Sequence, residues 1–262
     1  MVTRMRGRAK DDSPESPGNP WEEYSQELSL WAWDRLAIKR DRHGQYSVDG
    51  SARWTKGDFA GLTANKLVEH FGGKSTLGLG VTSVQDECLW VAWDLDNHVS
   101  DRATNQNLMY AIVVMNRLTE AGFRPIVEDS DGKGGVHIWV LFSKVIPSKT
   151  AYEFARWAVR DSTEHNIDKI ECFPKSSTVQ GTTMRCGNYV RIPGKHHKRE
   201  HWSIFWGDGE WLNVADSVQL LLHHKGVDPE NIALAMFSDV FDGIEAAATP
   251  DVAAPELVNP PS

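Results

Sequence analysis

Over residues 87–95 (ECLWVAWDL) apolar side chains fill almost every position, the pattern of a buried strand. The run then delivers two carboxylates two residues apart, Asp94 and Asp96. Aspartate is among the residue types least often found in strands, and a bare charge is costly to bury. Next, ATNQNLMYAIVVMNRLTEAG carries a helical period, with Asp101 as the expected N-cap and Gly122 as the stop. RPIVED reads as a short strand whose Pro125 confines it to a sheet edge. SDGKGG reads as a turn, VHIWVLF as a strand, IPSKTAYEFARWAVRDSTEH as a helix capped by Ser148, and DKIECFP as a fourth strand. The order is β-α-β-β-α-β, a ferredoxin-like unit whose strands are expected in the order 4-1-3-2 under two helices on one face.

Alternation then assigns faces. Leu89, Val91, Trp93 and Leu95 of the first strand point to the helices, as do Val136, Ile138, Val140 and Phe142 of the third and Ile170 and Cys172 of the fourth. Ala92, Asp94, Asp96, His137, Trp139 and Glu171 are left on a face expected to be open. Adjacent strands lie about 4.8 Å apart, so Glu171 can approach the aspartate pair.

Upstream, TANKLVEHFGG predicts a short helix from an N-cap at Thr63 to a stop at Gly72. GGKSTLGLG invites comparison with a phosphate loop. However, Val68 holds the position that needs the first glycine, and the loop follows a helix rather than a strand, so a helix stop is the better reading. Residues 1–20 and the Ala/Pro-rich end from 247 to 262 read as disordered segments. Between them the reading divides the chain into an N-terminal α/β unit over 21–84, the ferredoxin-like module over 85–208 and a helical segment over 209–246.

Composition adds bounds. At 40% hydrophobic residues with 11 Trp, the chain can bury a sizeable core, yet no apolar run approaches the roughly 20 residues a membrane span needs. The N-terminus has no apolar signal segment, and three isolated cysteines fit a reducing compartment, so a cytoplasmic, membrane-free protein is expected. Cys172, Cys186 and His196 or His197 have no zinc-ligand spacing. The formal net charge of −8 excludes coating of nucleic acid by bulk charge, but from Lys175 to His201 six Lys/Arg face a single acid, Glu200. A local basic groove is therefore expected.

Three carboxylates this close repel one another unless a cation sits among them, and hard oxygen ligands favour Mg²⁺ or Mn²⁺. Two such ions clamp the attacking and leaving oxygens of nucleotidyl transfer. In SDGKGGVH, glycines let backbone N–H groups converge on a phosphate, with Lys133 adding charge and His137 a donor. In GNYVRIPGKHHKREHW, Arg191, Lys195, His196 and His197 suit phosphates of a nucleotide or template. Trp139 could stack on a base or shield the site from solvent.

These residues together resemble the archaeo-eukaryotic primase superfamily, in particular the primase domains of TOTE-type conflict systems. The matching stretches are WDLD, SDGKGGVH and IECF, with the lead-in HFGGKSTLGLG and the run FPKSSTVQGTTMRCGNYVRIP, covering roughly residues 60 to 206. The resemblance implies an α+β fold with an RRM-like catalytic sheet. It also implies a template-dependent DNA primase or primase-polymerase that uses NTPs or dNTPs on single-stranded DNA through two divalent ions. Carried over, Asp94, Asp96 and Glu171 look like the metal ligands, with Asp168 the alternative to Glu171. His137, with Ser130 and Lys133, looks like the triphosphate contact, and Arg191 an aid to phosphate binding. Partners implied include a helicase or other replication or defence proteins.

Three rivals stand beside this reading. A non-catalytic RRM-type single-strand binder would want aromatic residues where Gly135 and His137 stand. A rolling-circle or relaxase endonuclease would want a histidine pair where the chain has His-Ile-Trp. A nucleotide cyclase palm could use Asp129 or Asp131 but leaves His137 unexplained.

Overall fold

The computed structural model describes residues 18–57, 61–96, 101–167, 169–182 and 186–237, with backbone only for 101–105. Two antiparallel sheets organise them. The smaller is formed by β1 (Gly44–Tyr46), β2 (Ala52–Trp54), β3 (Thr76–Gly80) and β8 (Tyr189–Arg191), in the order β2-β1-β3-β8. The larger contains β4 (Glu87–Leu95), β5 (Ile126–Asp129), β6 (Val136–Pro147), β7 (Glu171–Phe173), β9 (Ile204–Gly207) and β10 (Glu210–Trp211). Its order is β10-β9-β5-β6-β4-β7. Within it, the four strands read from the β-α-β-β-α-β pattern take the expected 4-1-3-2 order, every pairing antiparallel.

β4 is the centre of this sheet, and its tryptophans show how it is sandwiched. The helices α4 (Asp101–Glu120) and α5 (Ser148–Ala158) lie side by side on one face, and the Trp93 indole donates to the Ala155 carbonyl at 2.6 Å. Trp90, three residues earlier, points the other way and donates at 2.9 Å to the Leu36 carbonyl, just past α2 (Ser25–Arg35). Both indoles are fully buried, and each removes about 150–250 Å² from water, worth about 4–6 kcal/mol.

The face opposite α4 and α5 is therefore not open, as the alternation alone had suggested. Its Ala92 and Trp139 are buried, and the N-terminal helices α1 (Pro20–Glu23) and α2 cover part of it, Trp21 of α1 stacking on Phe71 and Trp202. Only its end near Asp94 and Asp96 is left to a cleft. β5 is likewise not an edge. Pro125 stands just before it, and β9 pairs along its far side through Glu128↔Phe205 and Asp129↔Ile204.

Local signals are mixed. Thr63 caps α3 (Ala64–Phe71), its hydroxyl accepting from the Lys66 N–H at 3.3 Å, and Gly72 follows the last turn. Gly122, at φ +84°, closes the turn after α4. Ser148, expected as a cap, is instead the first residue of α5, where Pro147 holds the cap position without a side-chain bond. Asp101 begins α4, and its side chain lies outside the described residues. The segment 209–246, described as far as residue 237, contributes α6 (Val214–His223), capped by Asn213, with Val218 and Leu221 of the helix buried. No described helix is long and apolar enough to cross a membrane.

Candidate active site

Strand register builds the site. Glu128 of β5 is the register partner of His137 on β6, His137 that of Asp94 on β4, and Asp94 that of Glu171 on β7. Four titratable side chains thus form one row across four strands, in the order acid, base, acid, acid. Asp96, exposed, follows the end of β4.

The row has a closed end and an open end. Glu128 has no exposed surface, and its carboxylate takes three donors: His137 Nδ1 at 3.0 Å, Trp139 Nε1 at 2.8 Å and Ser203 Oγ at 2.6 Å. Burial works against its charge, but His137 and the hydrogen bonds outweigh it and bring its pKa down to about 2. For His137, burial opposes the proton, and Asp94 and Glu128 override it, pushing the pKa up to about 10. His137 Nε2 stands 3.4 Å from Asp94 Oδ1, close enough to pair electrostatically. The contact is not a formed hydrogen bond, and Oδ1 is buried without a hydrogen-bond partner. Desolvation pushes the Asp94 pKa up, His137 pulls it down, and the net direction is down. At the open end Glu171 is half exposed and pairs with Lys175 at 2.7 Å.

A cavity of about 480 Å³ opens over Asp94, Asp96 and Glu171, with His137, Arg191 and Lys175 also in its wall. Arg191 reaches it from β8 of the smaller sheet and is 6% exposed. One of its guanidinium nitrogens, Nη2, donates to the Ser130 carbonyl at 2.5 Å, while Nη1 is buried without a partner. Ser130 and His196 line the same cavity. Lys195 lies instead in an adjoining cavity of about 500 Å³ that His196, His197, Lys198 and Arg199 share with the first, and it pairs there with Glu200 at 3.0 Å. The Gly-Lys-Ser loop lines this second cavity through Gly73, Lys74 and Ser75.

The SDGKGG turn departs from expectation. Four of its backbone N–H groups do not converge on an outside phosphate, because the carboxylates of Asp129, at the end of β5, and of Asp131, within the turn, accept them. Asp129 Oδ1 takes those of Asp131 and Gly132, and Asp131 Oδ1 those of Lys133 and Gly135. Lys133 is exposed and outside the cavity wall. Trp139 neither stacks outward nor shields the opening. It is 2% exposed and packs on Trp90 with ring centroids 5.2 Å apart.

The sequence reading did not single out Glu128, buried behind His137, or the wall residue Tyr46, and it counted Lys175 and Arg199 only within the basic stretch, although both line the cavity and Arg199 pairs with Asp131 at 2.5 Å. A signal existed for Glu128 alone, an acid sharing a face with His137 once β5 and β6 are aligned as a hairpin. Asp168 lies outside the described residues. Among those described, no three His, Cys, Asp or Glu side chains are gathered closely enough to hold a metal ion. The donor set nonetheless suits a hard cation: all oxygens, with one buried carboxylate oxygen lacking a hydrogen.

Fold and cleft together define an α+β protein with a carboxylate row on a central antiparallel sheet and a basic wall supplied by a second sheet. Residues 27–235 match the family described as "TOTE conflict system, Archaeo-Eukaryotic Primase domain", and the chain belongs to that family, within the archaeo-eukaryotic primase superfamily. Among solved structures it is similar to the polymerase domain of Mycobacterium tuberculosis ligase D in complex with DNA. That match has 12% identity and a TM-score of 0.43, covering 85% of this chain and 88% of the other. It is also similar to the archaeo-eukaryotic primase domain of the cyanophage S-2L primase-polymerase, at 13% identity and a TM-score of 0.39, over 74% and 96% of the two chains. A third similarity is to the primase RepB′, at 12% identity and a TM-score of 0.40, over 87% and 66%. No curated protein matches the chain. Family membership gives it a primase-like, nucleotidyltransferase class of function.

Proposed function

We propose that the chain is a template-dependent nucleotidyltransferase, a DNA primase or primase-polymerase acting on single-stranded DNA, with an RRM-like catalytic sheet. One observation carries the reading. The walls of a single cavity hold a buried acceptor without a hydrogen bond, Asp94 Oδ1, which meets His137 only as an ion contact at 3.4 Å, and a buried donor without an acceptor, Arg191 Nη1. Leaving either group unmet costs about 1–3 kcal/mol or more, and a cation held against a phosphate would meet both.

In this reading Asp94, Asp96 and Glu171 hold Mg²⁺ or Mn²⁺. When bound, such ions supply charge stabilisation for in-line displacement at the α-phosphate. The remaining work belongs to the chain. Arg191, braced on Ser130, offers its second nitrogen to the triphosphate. His137 stays charged between two carboxylates and turns Nε2 toward the cavity, because Nδ1 is committed to Glu128. Lys74, Lys195, Lys198 and Arg199 around the second cavity suit the phosphates of the strand. Lys133 at the rim of the turn adds charge from outside. The rival reading of a non-catalytic single-strand binder needs aromatic residues where Gly135 and His137 stand, and Trp139, the aromatic residue two positions on, is buried beneath the site.

The test is synthesis on single-stranded DNA, with and without a primer, in Mg²⁺ or Mn²⁺, using ribo- and deoxynucleotides in separate reactions. The Asp94→Ala/Asp96→Ala pair is expected to lose synthesis entirely, as is chelated wild type. Because Asp94 partners buried His137, the exposed Asp96→Asn change alone serves as the variant whose fold is not at risk, with at least a tenfold loss of rate expected. Full activity in the double variant would overturn the proposal.

A further inference from the structure

Each of the two carboxylates that face one another across β4 and β7 already has a cation of the protein's own. His137 stands 3.4 Å from Asp94, and Lys175 Nζ lies 2.7 Å from Glu171 Oε1. The two cations differ in freedom. His137 is buried and tethered at Nδ1 by Glu128. Lys175 rides on a flexible four-carbon stem, its side chain 35% exposed and that of Glu171 51%. An ion pair this open to water is weak and readily exchanged. The ammonium has a second anchor besides the carboxylate, since it sits 4.9 Å over the Phe173 ring. Glu171, Phe173 and Lys175 all line the first cavity.

We infer that Lys175 is a placeholder counter-ion, which neutralises Glu171 until a divalent cation takes that carboxylate and then serves the phosphates of the nucleotide. The inference rests on the reading of Glu171 as a metal ligand. Contact with the Phe173 ring keeps the ammonium inside the cavity when its carboxylate is withdrawn. The exchange conserves charge, as the cation that leaves Glu171 becomes available to the anion that arrives. Metal and nucleotide are thereby coupled, each making room for the other. The lysine should oppose the metal when the metal comes alone and favour the nucleotide once the metal is in place. A merely structural lysine would do neither.

That opposition of sign is the test. Mn²⁺ binding without nucleotide is measured from the paramagnetic resonance signal of the free ion, for wild type, Lys175→Gln and Glu171→Gln. Nucleotide binding at saturating Mn²⁺ is measured by calorimetry. Lys175→Gln is expected to bind Mn²⁺ about two- to fivefold more tightly, the size of an exposed ion pair, and nucleotide about tenfold more weakly. Glu171→Gln is expected to weaken Mn²⁺ binding. If Glu171→Gln weakens it and Lys175→Gln leaves it unchanged or also weakens it, the placeholder role falls and the ligand assignment stands. If Glu171→Gln leaves Mn²⁺ binding unchanged, the ligand assignment falls and takes the inference with it.

Discussion

Among the buried histidines, His70 and His137 are driven in opposite directions by their surroundings. His70, at the end of α3, has no exposed surface. Its Nδ1 accepts the Leu77 N–H at 3.1 Å and its Nε2 lies 3.0 Å from the Pro193 carbonyl. A ring that must accept at one nitrogen and donate at the other is neutral, and burial lowers its pKa to about 4. His137 is as deeply placed, but carboxylates flank both nitrogens and hold it protonated. Burial alone therefore fixes neither charge nor role; the partners do. Backbone partners make His70 a brace for the loop that opens the basic stretch, and the same tight packing leaves no room for a side chain at Gly194, whose Cβ would meet the ring at 2.7 Å. Carboxylate partners make His137 a buried positive charge next to a cleft, an arrangement poor for stability and suited to an anion.

The sharpest way to break this contrast is to take away what holds His137 charged. Glu128→Ala should destabilise the fold by about 3–5 kcal/mol, because an unpaired charge is left buried. A denaturant midpoint equal to wild type would mean the pair is not formed. Glu128→Gln keeps the shape and should cost less stability while raising the nucleotide KM.

Next in size is acid sensitivity. The folded pKa of His70 lies below the unfolded value of about 6.5, so below that pH the unfolded chain takes the proton first. Stability is then lost as pH falls from about 6.5 to about 4, by about 3 kcal/mol from this group. His137, with its raised pKa, does the reverse and gives up its contribution between about pH 6.5 and 10. Urea unfolding across pH 4–10 should show the acid slope flattened in His70→Gln and the alkaline slope retained. Equal acid slopes in both proteins would refute the neutral assignment.

The smallest effect is expected at Ser203, whose hydroxyl donates to Glu128 and accepts from the Gly194 N–H at 3.0 Å, so that it touches both regions. Ser203→Ala should cost about 2 kcal/mol by thermal or chemical unfolding.

The two regions were not equally legible in the sequence. Alternation along β4, β6 and β7 sufficed to put Asp94, His137 and Glu171 on one face, because parity is a local property of each strand. Which layer covers that face is a long-range matter, and nothing in the strands announces that Leu36 and Trp21 come back over it. β9 was missed because its four residues, IFWG, offer no alternation to read, and with it went the interior placement of β5 and the importance of Glu128. The SDGKGG turn looked like a phosphate cradle because glycines reveal backbone freedom but not where the N–H groups are spent. Lys175 and Arg199 reach the cleft through side-chain length, which a periodicity argument cannot see.

β8 belongs to the smaller sheet, where Arg191 is paired with Gly78 of β3, yet that arginine helps to close the cleft above the larger one. The pocket is thus a seam sewn from both halves of the chain. Cutting the gene to residues 85–208 would keep every carboxylate of the row and Arg191 itself but discard β3, the strand against which β8 is paired, leaving the guanidinium without the sheet that aims it.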